Sequence, residues 1–261
     1  MKISVVIHTF NSEKYIERCV TSVADADEII ICDMHSSDKT VEIAEKHGCK
    51  VVYHENVGFA EPARNFANSQ VTSDFFLILD SDEFASKGLI NYLRDFVTKN
   101  ESVCGVQIKY NNEVLGQVLN SYSKPGILRF FKRGKVNYAP FVHASPEVDG
   151  EIVSLPKSCK EYITHTMVDD FNEHILKWNY YTNLEVEKTI KNKKKKASVS
   201  KIIIRPIGEF IKLYFLKKGF TDGIRGYIFA IIGAHYKFVQ AVKLWDYERK
   251  EALKAAQNEN H

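Results

Sequence analysis

The first hundred residues alternate between short apolar runs and segments with helical periodicity. Nearly continuous apolar runs at residues 3–7, 28–33, 50–54 and 75–79 are typical of buried parallel strands. Between them, a segment after Asn11-Ser12, a segment that ends at Gly48 and residues 62–69 predict three helices. The order β-α-β-α-β-α-β predicts a doubly wound α/β sheet with right-handed crossovers.

The pattern changes after residue 100. Runs at residues 103–110, 127–132 and 152–155 predict shorter strands without helices between them, and hence an antiparallel or mixed extension of the sheet. Helical periodicity then predicts helices over 170–191, 202–216 and 223–245. We therefore expect an α/β domain over residues 1–168, with halves at 1–100 and 101–168, and a helical, basic region over 169–261.

Composition adds limits rather than a function. With 44% hydrophobic and 26% charged residues the chain is globular, and a net charge of +3 is too small to indicate a nucleic-acid partner. Five cysteines without a C-x-x-C pair predict reduced thiols rather than disulfides or a zinc site. We expect no signal peptide, and no apolar run reaches the ~18–20 residues of a membrane span.

The segment Asp80-Ser81-Asp82 directly follows the fourth predicted strand. Side chains at i and i+2 of an extended segment point the same way, so the two carboxylates are able to converge on one ligand. Mg²⁺ and Mn²⁺ prefer carboxylate oxygens together with substrate phosphates and water. The alternative is a solvated acidic turn. Ligands of doubly wound sheets bind beyond the carboxyl ends of the strands, which favours the metal site.

Two other features lie near the same edge of the predicted sheet. Thr9 and Asp33 end the first two strands, and the Asp33 carboxylate is placed to accept hydrogen bonds from a base or a ribose. Arg64, in the predicted helix 62–69, is either a phosphate or base ligand or a surface helix charge.

Three motifs together resemble the family 2 glycosyltransferases of the GT-A fold: residues 4–11, residues 28–38 and the D-x-D motif with its following glutamate at 80–83. Residues 128–134, 142–143 and 218–223 are similar to segments of the bacterial subgroup that adds sugars to lipopolysaccharide core. The resemblance implies a Rossmann-like mixed sheet flanked by helices, with a helical C-terminal extension. Residues 1–100 would be the nucleotide-sugar-binding half and residues 101–168 the acceptor half.

The same resemblance implies an activity. A sugar would move, with inversion, from a nucleotide-diphosphate sugar such as a UDP-hexose to a saccharide or glycolipid acceptor in cell-envelope polysaccharide or lipopolysaccharide-core synthesis. Mn²⁺ or Mg²⁺ would neutralise the leaving diphosphate. The residues implied around the nucleotide sugar are Thr9, Asn11, Asp33, Arg64, Asp80 and Ser81. The implied metal ligands are Asp82, Asp80 and His165; for His165 a buried core histidine is the alternative.

Inversion by single displacement needs a general base for the acceptor hydroxyl. The subgroup typically has Val-His-Glu where this chain has Val142-His143-Ala144, so the usual carboxylate is missing. Glu147 and His143 are equal candidates for the base, and Asp149 ranks below them. The remaining alternative is that none of them is the base, and that another carboxylate such as Glu83 serves or turnover is weak.

The basic residues in the C-terminal region predict where in the cell the protein works. Residues 202–218 mix large apolar side chains with lysine, and Lys191 and the lysines at 193–196 lie nearby. Such a segment is typical of peripheral binding to an anionic membrane, here the inner, cytoplasmic face of a bacterial cell membrane. The alternative is that its apolar residues pack on the catalytic domain.

Two other functions are compatible with an α/β domain of this kind. A nucleotidyltransferase would share the paired aspartates, but it usually has a glycine-rich phosphate loop where this chain has His8-Thr9-Phe10-Asn11. A non-catalytic, membrane-associated scaffold would keep the fold without turnover, and Ala144 is its only support.

Overall fold

The computed structural model describes residues 1–56, 61–139, 145–191 and 197–258. In these ranges the strands are β1 (Ile3–Thr9), β2 (Glu28–Asp33), β3 (Lys50–Tyr53), β4 (Phe75–Asp80), β5 (Glu83–Ala85), β6 (Val103–Val114), β7 (Gln117–Lys132), β8 (Val136–Asn137), β9 (Glu147–Val148), β10 (Glu151–Ser154) and β11 (Ile163–Val168). The helices are α1 (Ile16–Ser22), α2 (Thr40–Lys46), α3 (Glu61–Ser69), α4 (Leu89–Lys99), α5 (Phe171–Lys191), α6 (Val199–Ile211) and α7 (Gly223–Asn258). A π-helical turn, Lys212–Leu216, and a 3₁₀ turn, Gly219–Asp222, follow α6.

Most strands form one mixed sheet in the order β3-β2-β1-β4-β7-β6-β11-β5, with β10 paired to β6. Strands β3, β2, β1 and β4 are parallel to one another. Strand β7 joins β4 in the antiparallel direction, with Leu77 opposite Phe130. The predicted doubly wound half and its mixed extension are therefore both confirmed.

The parallel strands are apolar on both sides because helices cover both faces of the sheet. All seven residues of β1 are buried. Ile3, Val5 and Ile7 pack in the cluster that includes residues of α1, α2 and α4. Val6 packs in the opposite cluster with Ala63 and Ala67 of α3. The period of two along each strand thus assigns its side chains to one of two cores.

Strand register places the polar strand ends side by side. Thr9 lies opposite Asp33 in the pairing of β1 with β2. His8 lies opposite Asp80 in the pairing of β1 with β4. The expectation that the first, second and fourth strands bring polar residues to one edge of the sheet is confirmed.

Several elements differ from the sequence-based expectation. Strand β7 has 16 residues, whereas the apolar pattern predicts a strand only over 127–132. Its earlier part contains Pro125 and Gly126, which in a sequence indicate a turn. Extending the β4–β7 register places Pro125 beyond Asp80, so a missing N–H there breaks no hydrogen bond to β4. Helix α4 and strands β5, β8, β9 and β11 were not predicted.

The chain forms two compact units, one of Met1–Asn111 and Ser123–Thr166 and one of Asn112–Tyr122 and Met167–His261. In the second unit the buried Asp222 carboxylate accepts hydrogen bonds from the backbone N–H of Asn120 and Ser121, both 3.0 Å, and from the Ser121 hydroxyl. Residues 218–223, which resemble a subgroup motif, therefore anchor the β6–β7 hairpin tip within this unit.

Helix α5 begins one residue after its predicted start at 170. Helix α6 begins earlier than the predicted 202 and passes at Lys212 into the π-helical turn, while α7 runs past the predicted end at 245. The lysines at 193–196 lie outside the described residues. In the described ranges, no helix has the length and apolarity needed to cross a bilayer. The division into donor and acceptor halves stays a prediction.

Candidate active site

Asp80, the last residue of β4, lies between two arginines. Its Oδ1 accepts a hydrogen bond from Arg64 of α3, and its Oδ2 accepts one from Arg129 of β7, each at 2.9 Å. Burial acts to raise the pKa of Asp80, but the two guanidinium groups outweigh it and hold this pKa well below its ordinary value. Asp80 is therefore a permanent anion whose two oxygens are both bonded to protein cations.

Arg129 also binds a second carboxylate. Its Nη2 lies 2.5 Å from Oε1 of Glu83, which is only 1% exposed. Oε1 also accepts a hydrogen bond of 2.6 Å from the Tyr110 hydroxyl, and Oε2 accepts one of 3.1 Å from the Asp80 backbone N–H. Burial raises the pKa of Glu83 although Arg129 opposes it. Both Glu83 oxygens are thus used in structural bonds, which does not support the alternative of Glu83 as the general base.

Arg129 was not among the predicted site residues, although it belongs to residues 128–134, a segment that carries the subgroup resemblance. A signal was present in the pattern of β7. Side chains at i and i+2 of a strand share a face, and Phe131, two residues after Arg129, is buried in the core. A basic residue at a core-facing position needs a buried acidic partner, because an unpaired charge there is costly.

Asp82 and His165 form a second pair beside this cluster. Asp82 Oδ2 lies 3.6 Å from His165 Nε2, and both side chains are about one-fifth exposed (22% each). The Thr166 N–H donates to the Asp82 carbonyl at 2.9 Å and so fixes β11 against the turn. Burial lowers the pKa of His165, but the Asp82 carboxylate outweighs this effect and the pKa is raised. Within the same turn, Ser81 Oγ lies 2.8 Å from Ser12 Oγ.

The Asp82–His165 pair fits a divalent cation. A carboxylate oxygen and an imidazole nitrogen are accepted ligands of Mn²⁺, and Mg²⁺ usually takes only one or two protein ligands besides phosphates and water. Among the described residues, no group of three or more His, Cys, Asp or Glu side chains is arranged to hold a metal. Each oxygen of Asp80 already accepts a bond from an arginine, which favours Asp82 over Asp80 as a ligand, and the metal role of Asp80 stays a prediction.

The residues predicted around the nucleotide form hydrogen bonds that connect the loop after β1 to the loop after β2. Oδ1 of the buried Asp33 accepts hydrogen bonds from Thr9 Oγ1 (2.8 Å) and Ser36 Oγ (2.6 Å), and Oδ2 accepts one from the Ser36 N–H (2.7 Å). Asn11 has a left-handed backbone (φ 47°), and its Oδ1 accepts a hydrogen bond from the Ser37 N–H at 2.8 Å. Thr9, Asn11 and Asp33 therefore lie together, with Thr9 and Asp33 buried beneath the loop surface.

Two buried groups at this edge have unsatisfied polar atoms. Arg64 Nη1 and both ring nitrogens of His8 are buried and have no hydrogen-bond partner among the described residues. Burial, aided by the nearby Arg64 charge, lowers the pKa of His8 to about 3, so its imidazole is neutral. Unsatisfied buried donors are rare in proteins and often mark a ligand site. Arg64 Nη1, a charged donor, suits an anion such as a phosphate oxygen.

Asp149, the third candidate base, is not brought to this cluster. Its exposed carboxylate accepts a hydrogen bond of 2.6 Å from Lys135. Lys135 lies two residues after Arg133, whose N–H binds the carbonyl of Asp74, immediately before β4. Asp80 lies at the other end of this six-residue strand. From Phe75 to Asp80 the strand is about 17 Å long at ~3.3 Å per residue, so Asp149 lies near the end of β4 that is remote from the cluster.

The other two candidate bases belong to the chain between β8 and β10. Glu147 is in β9, opposite Asn137 of β8. The next residue, Tyr138, has its ring 5.6 Å from the Arg64 guanidinium, and its N–H donates to Asn65 at 2.9 Å. Glu147 thus lies on the strand pair that leads to the Arg64 side of the cluster. His143 and the unusual Ala144 lie outside the described residues.

Comparisons with known proteins identify the family of the chain. The family model described as glycosyl transferase family 2 matches residues 4–145. The lipopolysaccharide core biosynthesis glycosyltransferase LpsC of Rhizobium meliloti is 26% identical over 99% of this chain and 96% of its own length. A glycosyltransferase of Rickettsia bellii is 29% identical over 93% of this chain and 86% of its own length.

A solved structure shares the fold. The crystal structure of Staphylococcus aureus TarS superposes with a TM-score of 0.51 at 18% identity, covering 94% of this chain and 54% of the TarS chain. This chain therefore spans just over half the length of TarS. With its mixed sheet flanked by helices, the molecule has the GT-A fold that the sequence motifs imply.

Replacing Arg129 with methionine tests the ionic cluster. We expect the free energy of unfolding to fall by about 3–5 kcal/mol at pH 8, because the buried Glu83 would lose its cation and the partly exposed Asp80 would keep only Arg64. The loss should be smaller near pH 5. Without Arg129 the already raised pKa of Glu83 rises further, and a proton held only by the folded state stabilises it as pH falls. Urea denaturation at both pH values measures this difference.

The matched control is Arg94→Met. Arg94 pairs with Asp27 in a partly exposed ion pair (27% and 35% exposed), so its loss should change stability by only about 0–1 kcal/mol. Equal effects of the two substitutions, or an Arg129→Met effect that does not depend on pH, would contradict the assignment of a buried cluster.

Proposed function

Because the chain belongs to glycosyl transferase family 2, we propose that it transfers a sugar, with inversion, from a nucleotide-diphosphate sugar of the UDP-hexose class to a saccharide or lipid-linked acceptor. The observation that carries this proposal is that the two aspartates of Asp80-Ser81-Asp82 have different partners. Both aspartates are partly exposed, but the Asp80 carboxylate is bonded to Arg64 and Arg129, whereas the Asp82 carboxylate lies beside His165 and, among the described residues, has no arginine on it. Asp80 orients the two arginines of the site, and Asp82 would bind the donor through a metal ion.

The donor would bind at the carboxyl ends of β1, β2 and β4, as ligands do in sheets of this type. Arg64 is held by Asp80 through Nη2, and its Nη1 would donate to a phosphate oxygen. Thr9, Asn11 and Asp33 fix the two loops on which the nucleoside would rest. Ser81, between the two aspartates, would lie closest to the ribose and diphosphate.

Asp82 and His165 are the residues that would hold Mn²⁺ or Mg²⁺. When bound, the cation supplies positive charge that stabilises the leaving diphosphate. Asp80 takes no part as a ligand in this proposal. It orients the two arginines instead, and the metal role is assigned to Asp82 and His165 alone.

Transfer with inversion is a single displacement. The acceptor oxygen forms a bond to the anomeric carbon as the bond from that carbon to the diphosphate oxygen breaks, and the hydroxyl proton passes to a general base. Glu147 and His143 are the proposed bases. The position of β9, beside the strand that carries Tyr138 next to Arg64, supports Glu147. Asp149 is left out because its carboxylate binds Lys135 at the far end of β4.

The acceptor proposed is a component of the cell envelope. This rests on two relatives: LpsC, named for lipopolysaccharide core biosynthesis, and TarS, named a poly(ribitol-phosphate) β-N-acetylglucosaminyltransferase. Such polymers are assembled at membranes, so we also propose that the protein works as a peripheral protein on the inner face of the bacterial cell membrane.

Calorimetric titration with UDP tests the donor assignment. We expect UDP to bind at least about tenfold more tightly with Mn²⁺ than without it, because Asp82, His165 and the diphosphate would share the cation. Asp82→Asn should remove this gain. Asp149→Asn, the same change on an exposed aspartate far from the cluster, should leave it intact. Failure of both UDP and GDP to bind, with or without Mn²⁺, would refute the proposal.

Donor hydrolysis tests the general base. With a panel of UDP-sugars and water as acceptor, loss of the base should lower kcat by about 10²–10⁴-fold at nearly constant KM. Glu147→Gln and His143→Gln are compared, with Asp149→Asn as the control that keeps its rate. The variant that loses turnover should also lose the acidic limb of the pH–rate profile. Unchanged kcat in both variants would show that neither residue is the base.

A further inference from the structure

Helix α6, in the second unit, turns its apolar side outward. None of its residues is buried, although most of them are apolar. Its exposed apolar side chains are Val199, Ile203, Ile204, Ile207 and Ile211, each between 44% and 65% exposed. Successive members are four, one, three and four residues apart, so they share one broad face of the helix, which we term the apolar stripe. A solvent-facing helix of a globular protein normally has the opposite pattern.

The apolar stripe continues past the end of α6. The π-helical turn adds Phe215 and Leu216, the 3₁₀ turn adds Phe220, and the start of α7 adds Ile224, each between 51% and 75% exposed. Leu213, in the same turn, is instead buried with Phe229 and Ala230 of α7. The segment thus has its own core contacts within the second unit, and the exposed residues are additional to them. Apolar runs this extensive on a surface usually mark an interaction site.

The charges beside the apolar stripe are almost all positive. Residues 199–218 contain five basic side chains and a single acidic one, Glu209, which is bonded to Lys212. Lys201, Arg205 and Lys212 are spaced by four and seven residues, so they form one row along an edge of the stripe. Lys217 and Lys218 follow the π-helical turn. The combination is an exposed apolar surface with a basic border.

We propose that this face binds the surface of an anionic lipid bilayer, with α6 lying in the plane of the interface. Isoleucine, phenylalanine and leucine side chains would enter the boundary between headgroups and acyl chains, and the basic row would contact anionic headgroups. This deepens the proposed peripheral location by naming the face that makes the contact. It depends on residues of the second unit only and not on the Asp80 cluster.

Charge favours a lipid surface over another copy of the chain. A self-complementary contact between two apolar stripes would bring two basic rows of the same sign together, and like charges at close range oppose association. An anionic bilayer supplies the opposite charge together with an apolar layer.

Vesicle flotation tests the proposal with the full-length protein. We expect binding to phosphatidylcholine vesicles that contain phosphatidylglycerol, little binding to pure phosphatidylcholine, and release by high salt. The double substitution Ile203→Glu with Ile207→Glu should weaken partitioning at least about tenfold. The matched control is Leu176→Glu, the same type of change at a leucine of α5 that is 71% exposed, and it should bind as the wild type does.

A second variant keeps the test valid if the glutamate variant does not fold. Ile207→Trp preserves the apolar surface, and its fluorescence should be quenched by brominated phosphatidylglycerol more strongly than that of Leu176→Trp. Equal quenching, binding unaffected by the two glutamates, or no binding at low salt would each overturn the proposal. So would a wild-type dimer that these glutamates convert to a monomer, since the occupant would then be a second copy.

Titration with UDP separates this proposal from the proposed function. The Ile203→Glu, Ile207→Glu variant should bind UDP as the wild type does. Loss of vesicle binding with intact UDP binding would show that the two substitutions act on the apolar stripe and not on the donor site. Lost UDP binding in a protein that still binds vesicles would count against the transferase proposal alone.

Discussion

The ion pairs that hold Asp80 between Arg64 and Arg129 are the interaction on which the candidate site depends. A carboxylate that is largely withdrawn from water, as Asp80 is with 34% of its side chain exposed, is costly unless its charge is compensated and its oxygens are hydrogen-bonded. Asp80 meets both conditions only when α3 and β7 bring their arginines to the end of β4. Because Arg129 also binds Glu83, the same constraint fixes the start of β5. One charged cluster thus connects four elements at the carboxyl edge of the sheet.

This constraint gives two aspartates of one motif different chemistry. Asp80 and Asp82 are two residues apart, but their surroundings differ, and surroundings decide what a carboxylate can do. Each oxygen of Asp80 is bonded to an arginine, so Asp80 orients these two side chains. Asp82 faces a histidine and solvent, so it is available to a cation and a diphosphate. In the proposed function, the D-x-D motif therefore combines a residue that orients the arginines with a residue that binds the metal.

Much of the first half of the fold follows from local patterns in the sequence. Continuous apolar runs predicted the parallel strands, because burial on two faces leaves no alternation. The positions of Thr9, Asp33 and Asp80 at strand ends predicted that they would meet, since parallel strands share one carboxyl edge. The pairing of Arg129 with Asp80 spans 49 residues and depends on the register of β7, which no local pattern encodes. Because Pro125 and Gly126 are typical of turns, the sequence pattern did not predict that the first part of β7 is a strand.

The central claim is that Asp82 binds the metal and Asp80 does not. Electron paramagnetic resonance of Mn²⁺, titrated into the protein with UDP present, measures bound metal directly for Asp80→Asn and Asp82→Asn. We expect Asp82→Asn to lose bound Mn²⁺, and Asp80→Asn, confirmed as folded by circular dichroism, to retain it. Loss of Mn²⁺ in Asp80→Asn with retention in Asp82→Asn, or equal loss in both folded variants, would contradict the account.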